Sequence, residues 1–74
     1  MPEPIKAHIT GVVFQVAAKT GDRVAAGDPV IVLESMKMEI PVIAEDEGTV
    51  RAVKIAPADV VQEGDVLVEI VLKD

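Results

Sequence analysis

The sequence contains no cysteine, a single histidine and a single large aromatic ring, Phe14. Without thiols the chain has no disulfides, thiolate metal sites or thiol nucleophiles. One histidine, His8, cannot build a metal cluster without help from carboxylates, so we expect no metal site. No Ser/His/Asp or Cys/His constellation is present, and we therefore expect no catalytic residue. The scarcity of rings also excludes stacking platforms for bases or sugars.

Long apolar runs and clustered positive charge are also missing. No apolar segment approaches the roughly 20 residues needed to span a bilayer, and nothing resembles a signal peptide. The 7 Lys and Arg residues are scattered singly among 13 Asp and Glu residues, which gives a net charge of -6. Nucleic-acid binding requires clustered positive charge. We therefore expect neither nucleic acid nor a membrane as a partner, and the absence of cysteine fits a cytoplasmic location.

No segment shows the sustained apolar spacing of a helix, so the sequence predicts essentially no helix. Valine and isoleucine instead supply 21 of the 74 residues. Branched side chains suit a pleated surface, which indicates an all-β protein. A chain of this length forms one domain, spanning residues 1–74, and buries only about 60% of its unfolded surface.

The chain repeats itself. A shift of 37 residues aligns two halves, about 5–37 and 42–74, without a gap, and seven of the 23 positions from 11 to 33 are identical. Because the repeat preserves glycines and small apolar residues, it predicts one backbone path used twice. Neither half could bury both faces of its strands alone, so we expect two interlocked halves in a small sandwich or flattened barrel.

The repeated motifs predict particular strands and turns. Gly27-Asp28 and Gly64-Asp65 predict tight turns. If a two-fold axis relates the halves, a step of 37 takes Lys37 to position 74, so the central connection and the termini should lie at opposite ends. The predicted strands cover 11–16, 30–34, 48–53 and 66–72, and loops are predicted at 19–22 and 56–59.

Residues 30–43 read as two apolar strands meeting at a bend, in a near-palindrome about Lys37 that sets Met36 opposite Met38. The bend lacks the Gly, Asn, Asp or Pro that ordinarily makes a two-residue hairpin. We therefore expect unfavourable backbone angles at Met36 and Lys37, at a cost of order 1–3 kcal/mol. If Lys37 were an ordinary surface lysine, the two exposed thioethers beside it would have no explanation. Flexible methionines suit a surface that a modifying enzyme binds.

The segment Glu34-Ser35-Met36-Lys37-Met38-Glu39 resembles the (Ala/Ser)-Met-Lys-Met biotin-attachment motif of biotin carboxyl carrier domains. The resemblance runs from about Ile5 to Leu72, includes a turn at Gly11, and is closest to the short, free-standing biotin/lipoyl attachment proteins. It implies a barrel-sandwich hybrid of two four-stranded antiparallel sheets with a pseudo-twofold repeat.

Two departures from the family pattern stand out. Only residues 17–19 occupy the place where some carriers insert a "thumb", so no thumb is expected. Residues 7–10 replace the Ala-Pro that often precedes the first glycine turn, and His8 is expected as a surface strand residue. The start at Met1 and the lack of an Ala/Pro-rich linker favour a free-standing subunit.

The resemblance also implies a cofactor and partners. In this family a biotin protein ligase activates biotin as its adenylate, and the lysine amine, here that of Lys37, attacks the acyl carbon. The ligase would recognise Met36 and Met38, with Glu34, Ser35 and Glu39 as the flanks of the motif. The carrier then serves a biotin carboxylase and a carboxyltransferase, and is not itself an enzyme.

Two other interpretations stay open. The first is a lipoyl carrier domain of a 2-oxo acid dehydrogenase-type complex, which shares the fold and the lysine tip. Lipoyl sites usually read Asp-Lys-Ala, however, and methionine on both sides favours biotin. An unmodified β interaction module is the second. The sequence leaves the acceptor of the carboxyl group open.

Overall fold

The computed structural model describes residues 2–73, and these residues form β-strands, turns and loops with no helix. No segment within this range is therefore a helix that could cross a bilayer. The strands are β1 (Pro2–Lys6), β2 (Gly11–Val16), β3 (Arg23–Val24), β4 (Pro29–Ser35), β5 (Met38–Ile43), β6 (Gly48–Val53), β7 (Val60–Val61) and β8 (Val66–Leu72).

The strands form two four-stranded antiparallel sheets. The order β1-β8-β6-β3 defines the terminal sheet, and the order β5-β4-β2-β7 defines the hairpin sheet. The predicted sandwich is confirmed, but the strands do not close into a barrel. The seam between the edge strands β1 and β5 stays open as a groove of about 530 Å³. Residues 17–22 connect β2 to β3 directly, without a thumb.

The two sheets follow the repeat of 37 residues pair by pair. Val13 lies opposite Leu33 in the hairpin sheet, and Val50 lies opposite Ile70 in the terminal sheet. Both sheets carry a β-bulge directly after these positions. Each cross-strand pair of the hairpin sheet has its counterpart, except Ser35–Met38, whose counterpart would involve Met1, outside the described residues. The pseudo-twofold repeat is therefore confirmed at the level of register.

The core lies between the inner faces of the sheets and consists of small and branched apolar residues. Ile31 and Leu33 from β4 and Val68 and Ile70 from β8 are at most 2% exposed. Within the described residues, no polar or charged side chain is buried, so the core requires no internal polar pairing. Alternating inward-facing residues on both sheets are the usual basis of sandwich stability.

Aspartate side chains hold the four tight loops. The Oδ2 atom of each accepts a hydrogen bond from the backbone N–H three residues earlier, as Asp28 does from Ala25 at 2.9 Å. The same bond recurs at Asp22, Asp59 and Asp65, at 2.8–2.9 Å. Gly27 and Gly64 both have φ 93°, which confirms the predicted Gly-Asp turns.

Gly11 and Gly48 serve a different purpose from the turn glycines. The predicted turn at Gly11 is wrong, since Gly11 begins strand β2 and has no positive φ. A Cβ atom there would lie 2.7 Å from the backbone oxygen of Glu34, so glycine is required by a close approach of the neighbouring strand. The chain bends earlier, at His8, which is exposed but lies in the β1–β2 connection and not in a strand.

The hairpin tip and the first and last described residues, Pro2 and Lys73, lie at opposite ends of the molecule, which measures 38 × 17 × 17 Å. Strand β5 starts at the hairpin and runs to Ile43. Residues 44–47 then lead directly to Gly48, which pairs with Leu72 at the end of β8. The far end of the hairpin sheet therefore meets the end of the terminal sheet where the chain finishes. Asp74 itself, the predicted counterpart of Lys37, lies outside the described residues.

Candidate modification site at the hairpin tip

A two-residue turn joins β4 to β5. Ser35 and Met38 form the last cross-strand pair, and Met36 and Lys37 form the turn with φ 52° and 65°. Positive φ at both central residues is the requirement of the type I′ turn, whose twist matches that of the flanking strands. The predicted unfavourable backbone angles at Met36 and Lys37 are confirmed.

This pairing corrects one detail of the sequence interpretation. Met36 does not lie opposite Met38, because the centre of the hairpin falls between Met36 and Lys37. The register could have been recognised from a second palindrome in the sequence, in which Glu34 matches Glu39 and the apolar residues outside them match in turn. The structure follows this second pattern from the Ser35–Met38 pair to the Ile31–Val42 pair, after which a register shift pairs Ile43 with Pro29.

The turn residues are unfavourable for stability. The left-handed conformation costs an L-residue with a Cβ atom about 1–2 kcal/mol, and Asn-Gly would adopt it at far lower cost. The neighbouring strands nevertheless enforce it at Met36 and Lys37. Because local strain of this kind clusters at functional positions, the Met-Lys pair indicates a role other than stability.

The tip projects into solvent. Met36 is 91% exposed and Met38 is 64% exposed, and Lys37 between them is also exposed. Within residues 2–73 the ion pairs join Lys54 to Glu69 and Lys73 to Glu47, and neither involves Lys37. The lysine amine is thus accessible to another protein and is flanked by two flexible apolar side chains.

The flanks of the motif lie at the base of the tip. Glu34 and Glu39 are exposed and lie directly opposite one another across β4 and β5. Like charges at directly opposite positions are destabilising. Ser35 is half-buried beside them, opposite Met38. The structure therefore brings together all six residues of the predicted motif, Glu34 to Glu39, within one hairpin.

The Lys37 amine stands apart from the open groove of the structure. The open groove between β1 and β5 is lined partly by Ile40 and does not include Lys37. Within residues 2–73, no group of three or more His, Asp or Glu side chains is arranged to hold a metal ion. A protruding amine on a narrow hairpin can enter the active site of a second protein. This arrangement fits a covalently attached prosthetic group.

Comparison with known proteins identifies the family. The Biotin_lipoyl family, described as "biotin-requiring enzyme", matches residues 1–70. The chain belongs to this family. It is 43% identical to the "Biotinylated protein TB7.3 homolog" of Mycobacterium leprae over 67 residues, which cover 90% of the chain and 94% of that protein.

Two further similarities concern an attachment protein and a carboxylase. The chain is 44% identical to the "Biotin/lipoyl attachment protein" of Bacillus subtilis over 66 residues, covering 89% of the chain and 90% of that protein. It also matches the crystal structure of Kluyveromyces lactis urea carboxylase with a TM-score of 0.91 and 37% identity, over 96% of this chain and 6% of the carboxylase chain. The structure is thus similar to one small part of a large carboxylase.

Proposed function

We propose that the chain is a biotin carboxyl carrier, with biotin attached to Lys37 through an amide bond. The observation that carries this proposal is the exposed Lys37 in a strained two-residue turn between two exposed methionines. The fold does not require an exposed lysine between two exposed methionines in a strained turn. An enzyme that must recognise one lysine among several does require a lysine with distinctive surroundings.

The attachment reaction uses the amine of Lys37 as a nucleophile. A biotin protein ligase joins the carboxylate of biotin to the AMP portion of ATP and releases pyrophosphate, which activates the carboxyl group as an adenylate. The Nζ atom of Lys37 then forms a bond to the acyl carbon and loses a proton, while AMP leaves. The ligase supplies the activation and the removal of the proton, because an amine must be neutral to attack. Met36 and Met38 give the ligase an adaptable apolar surface on each side of the amine.

The shape of the domain suits a carrier. When bound, biotin supplies a ring nitrogen that takes up and releases a carboxyl group. The chain contributes a stiff hairpin that holds the attachment point at one end of a molecule 38 Å long. Tethering raises the effective concentration of the reacting group at both active sites. In this proposal the tip visits a biotin carboxylase and then a carboxyltransferase, in the cytoplasm, while residues 1–74 act as one carrier domain.

The names of the relatives support biotin as the attached group, and one of these names also includes lipoyl. The Mycobacterium leprae relative is called biotinylated, and the matching crystal structure is a urea carboxylase. The Bacillus subtilis relative is called a biotin/lipoyl attachment protein. Lipoylation of the same lysine is therefore the second candidate function, in which the chain would be a lipoyl carrier domain of a 2-oxo acid dehydrogenase-type complex.

The substitution Lys37→Arg tests the site. Arginine keeps the charge and most of the side-chain length but is not expected to accept the acyl group. Wild type incubated with biotin, ATP and a biotin protein ligase should gain one biotinyl group by intact mass, and Lys37→Arg should gain none. Lys19→Arg is the matched control, because Lys19 is exposed in a loop outside the hairpin, and it should be labelled like wild type.

Three outcomes would contradict the proposal. Labelling that survives Lys37→Arg would place the site elsewhere. Labelling by a lipoate ligase alone, in a parallel incubation with lipoate, would favour the lipoyl carrier. No labelling of wild type by either ligase would favour an unmodified interaction module. For the carrier role, biotinylated wild type should support ATP hydrolysis by a biotin carboxylase with bicarbonate, and Lys37→Arg from the same incubation should not.

A further inference from the structure

The outer face of the hairpin sheet carries exposed apolar residues close to the tip. The register aligns one row across all four strands, from Glu39 through Glu34 and Val12 to Val60. Residues directly opposite one another in a sheet point to the same face. Val12 and Val60 are 39% and 73% exposed, and the bulge residue Phe14, beside this row, is 51% exposed. We call Val12, Phe14 and Val60 the outer patch.

The terminal sheet carries polar residues at the positions that correspond to the outer patch. The counterparts of Val12, Phe14 and Val60 under the repeat of 37 are Thr49, Arg51 and Arg23. The corresponding row there runs from Pro2 through Val71 and Thr49 to Arg23, and the bulge recurs beside it. Backbone path, register and bulge are shared, and only the side chains differ. The fold therefore tolerates polar residues at all three positions, and stability does not explain the apolar ones.

The position of the outer patch is informative. Its row shares Glu34 with the tip motif, and Glu34 lies two positions before the Met36-Lys37 turn. Val12 and Val60 lie on the next two strands, about 5 Å and 10 Å from Glu34 across the sheet. Single exposed apolar residues are ordinary, whereas adjacent ones mark an interaction site. An enzyme that acts on the Lys37 amine itself must bring its surface within the length of one lysine side chain. Such an enzyme would contact this part of the hairpin sheet as well.

We propose that the outer patch, together with Glu34 and Glu39, is a docking surface for the biotin protein ligase that modifies Lys37. This inference rests on the proposed function. The matching ligase surface would be apolar opposite Val12, Phe14 and Val60, with basic side chains facing the two glutamates. It would extend the recognised area from the tip onto one face of the carrier.

The charge of the chain and the distance from the hairpin to the reacting group favour the ligase over a second copy of the chain and over a carboxylase. A second copy of the chain would bring Glu34 and Glu39 against another acidic protein, since each chain carries a net charge of -6, and like-charge contact is unfavourable. A carboxylase reacts at the far end of the lysine and biotin arm together, so its active site does not require contact with the base of the hairpin.

The internal repeat provides the test. In the triple variant V12T/F14R/V60R, each residue is replaced by its counterpart from the terminal sheet, where the same backbone already accommodates it. The reciprocal variant T49V/R51F/R23V transfers the patch to the face of the terminal sheet. A third variant, V12T/F14Q/V60T, removes the apolar groups without adding charge. Initial rates of biotinylation by the ligase are measured against carrier concentration, with endpoint mass and thermal unfolding for every variant.

The proposal predicts a kinetic loss with the attachment chemistry intact. Both patch-removing variants should lose about tenfold or more in kcat/KM, mainly through KM, because binding and not the reacting amine has changed. Both should still reach one biotin per chain at the endpoint. The reciprocal variant should match wild type, since its new apolar residues lie on the other sheet.

Other results would overturn it. Wild-type KM in V12T/F14Q/V60T would show that the apolar contacts do not matter, even if V12T/F14R/V60R were slow through its added charge. Unchanged biotinylation combined with lost turnover by the biotin carboxylase would assign the patch to that enzyme. A concentration-dependent dimer of wild type that the triple variant abolishes would assign it to a second copy. Absence of biotin from wild type would refute the proposed function itself, and the docking surface with it.

Discussion

The hairpin sheet and the terminal sheet are two versions of one structure, and their differences separate folding from function. They share strand order, register, bulges and the aspartate-held loops. They differ at one end and on one face. β4 and β5 are joined by the strained Met36-Lys37 turn, whereas their counterparts in the terminal sheet, β8 and β1, are not joined directly to each other. What the sheets share serves the fold, and what only the hairpin sheet has requires another explanation.

The largest stability effect should come from the glycines at the strand contacts. In Gly48→Ala the new Cβ would overlap the backbone oxygen of Val71 and lie 2.6 Å from Cγ2 of Ile70. Gly11→Ala meets one close backbone atom, the oxygen of Glu34 at 2.7 Å. We expect Gly48→Ala to lower the free energy of unfolding by about 3 kcal/mol and Gly11→Ala by about 1–2 kcal/mol, as overpacking does. Urea denaturation measures both, and an equal cost would contradict the difference in packing.

The aspartate loops should behave identically in the two halves. Asp28→Ala and Asp65→Ala each remove one hydrogen bond of 2.9 Å to a backbone N–H, from Ala25 and Gln62 respectively. Each should cost about 1 kcal/mol, or roughly 4–8 °C in Tm for a domain of this size. A more than twofold difference between the two costs would show that the two-fold relation does not extend to loop energetics.

A smaller, opposite pair of effects should appear where the halves break their symmetry. Ala58 has φ 76° at the position where the first half has Gly21 with φ 94°. A substituted Cβ at Gly21 meets no atom within 4 Å, so strain acts there through the backbone alone. Ala58→Gly should therefore stabilise the protein by about 0.5–1 kcal/mol, and Gly21→Ala should destabilise it by about 1 kcal/mol. Thermal unfolding measures both, and the same sign for both changes would refute this account.

The smallest stability effect should appear at the tip. Met36→Asn places a residue that tolerates left-handed backbone at φ 52°, so we expect a gain of roughly 0.5 kcal/mol. The same change removes an exposed thioether, so the initial rate of biotinylation should fall. Met38→Asn is the control, because Met38 lies in β5 without positive φ, and it should slow labelling without stabilising the turn. If Met36→Asn were more stable than wild type and were biotinylated at the wild-type rate, neither the backbone strain nor the thioether at position 36 would be needed for labelling.

Much of the fold could be predicted because the residues that recur in the repeat directly favour particular backbone conformations. The strands at 11–16, 48–53 and 66–72 and the Gly27 and Gly64 turns follow from glycine, valine and aspartate recurring at one offset. Strands β3 and β7 could not be predicted, since each has two residues and its pairing depends on the other half. The bulges could not be predicted for a related reason, since Phe14 is an extra residue only in relation to the strand with which β2 pairs.

The candidate site could be recognised in part for a different reason. The Met-Lys-Met segment breaks the rules of turn composition, and this violation drew attention to Lys37 without any knowledge of the fold. The outer patch left no such signal. Val12, Phe14 and Val60 read as ordinary strand residues until the register sets them beside Thr49, Arg51 and Arg23. Comparing the unlike positions of the repeat, and not only the identical ones, would have revealed the contrast.

The most direct measurement is peptide mapping by mass spectrometry after incubation with biotin, ATP and a biotin protein ligase. We expect one biotinyl group per chain, found only on the peptide that contains Lys37, with Lys6, Lys19, Lys54 and Lys73 unmodified. A biotinyl group on any of those four lysines in place of Lys37, or a chain that takes up no biotin, would contradict it.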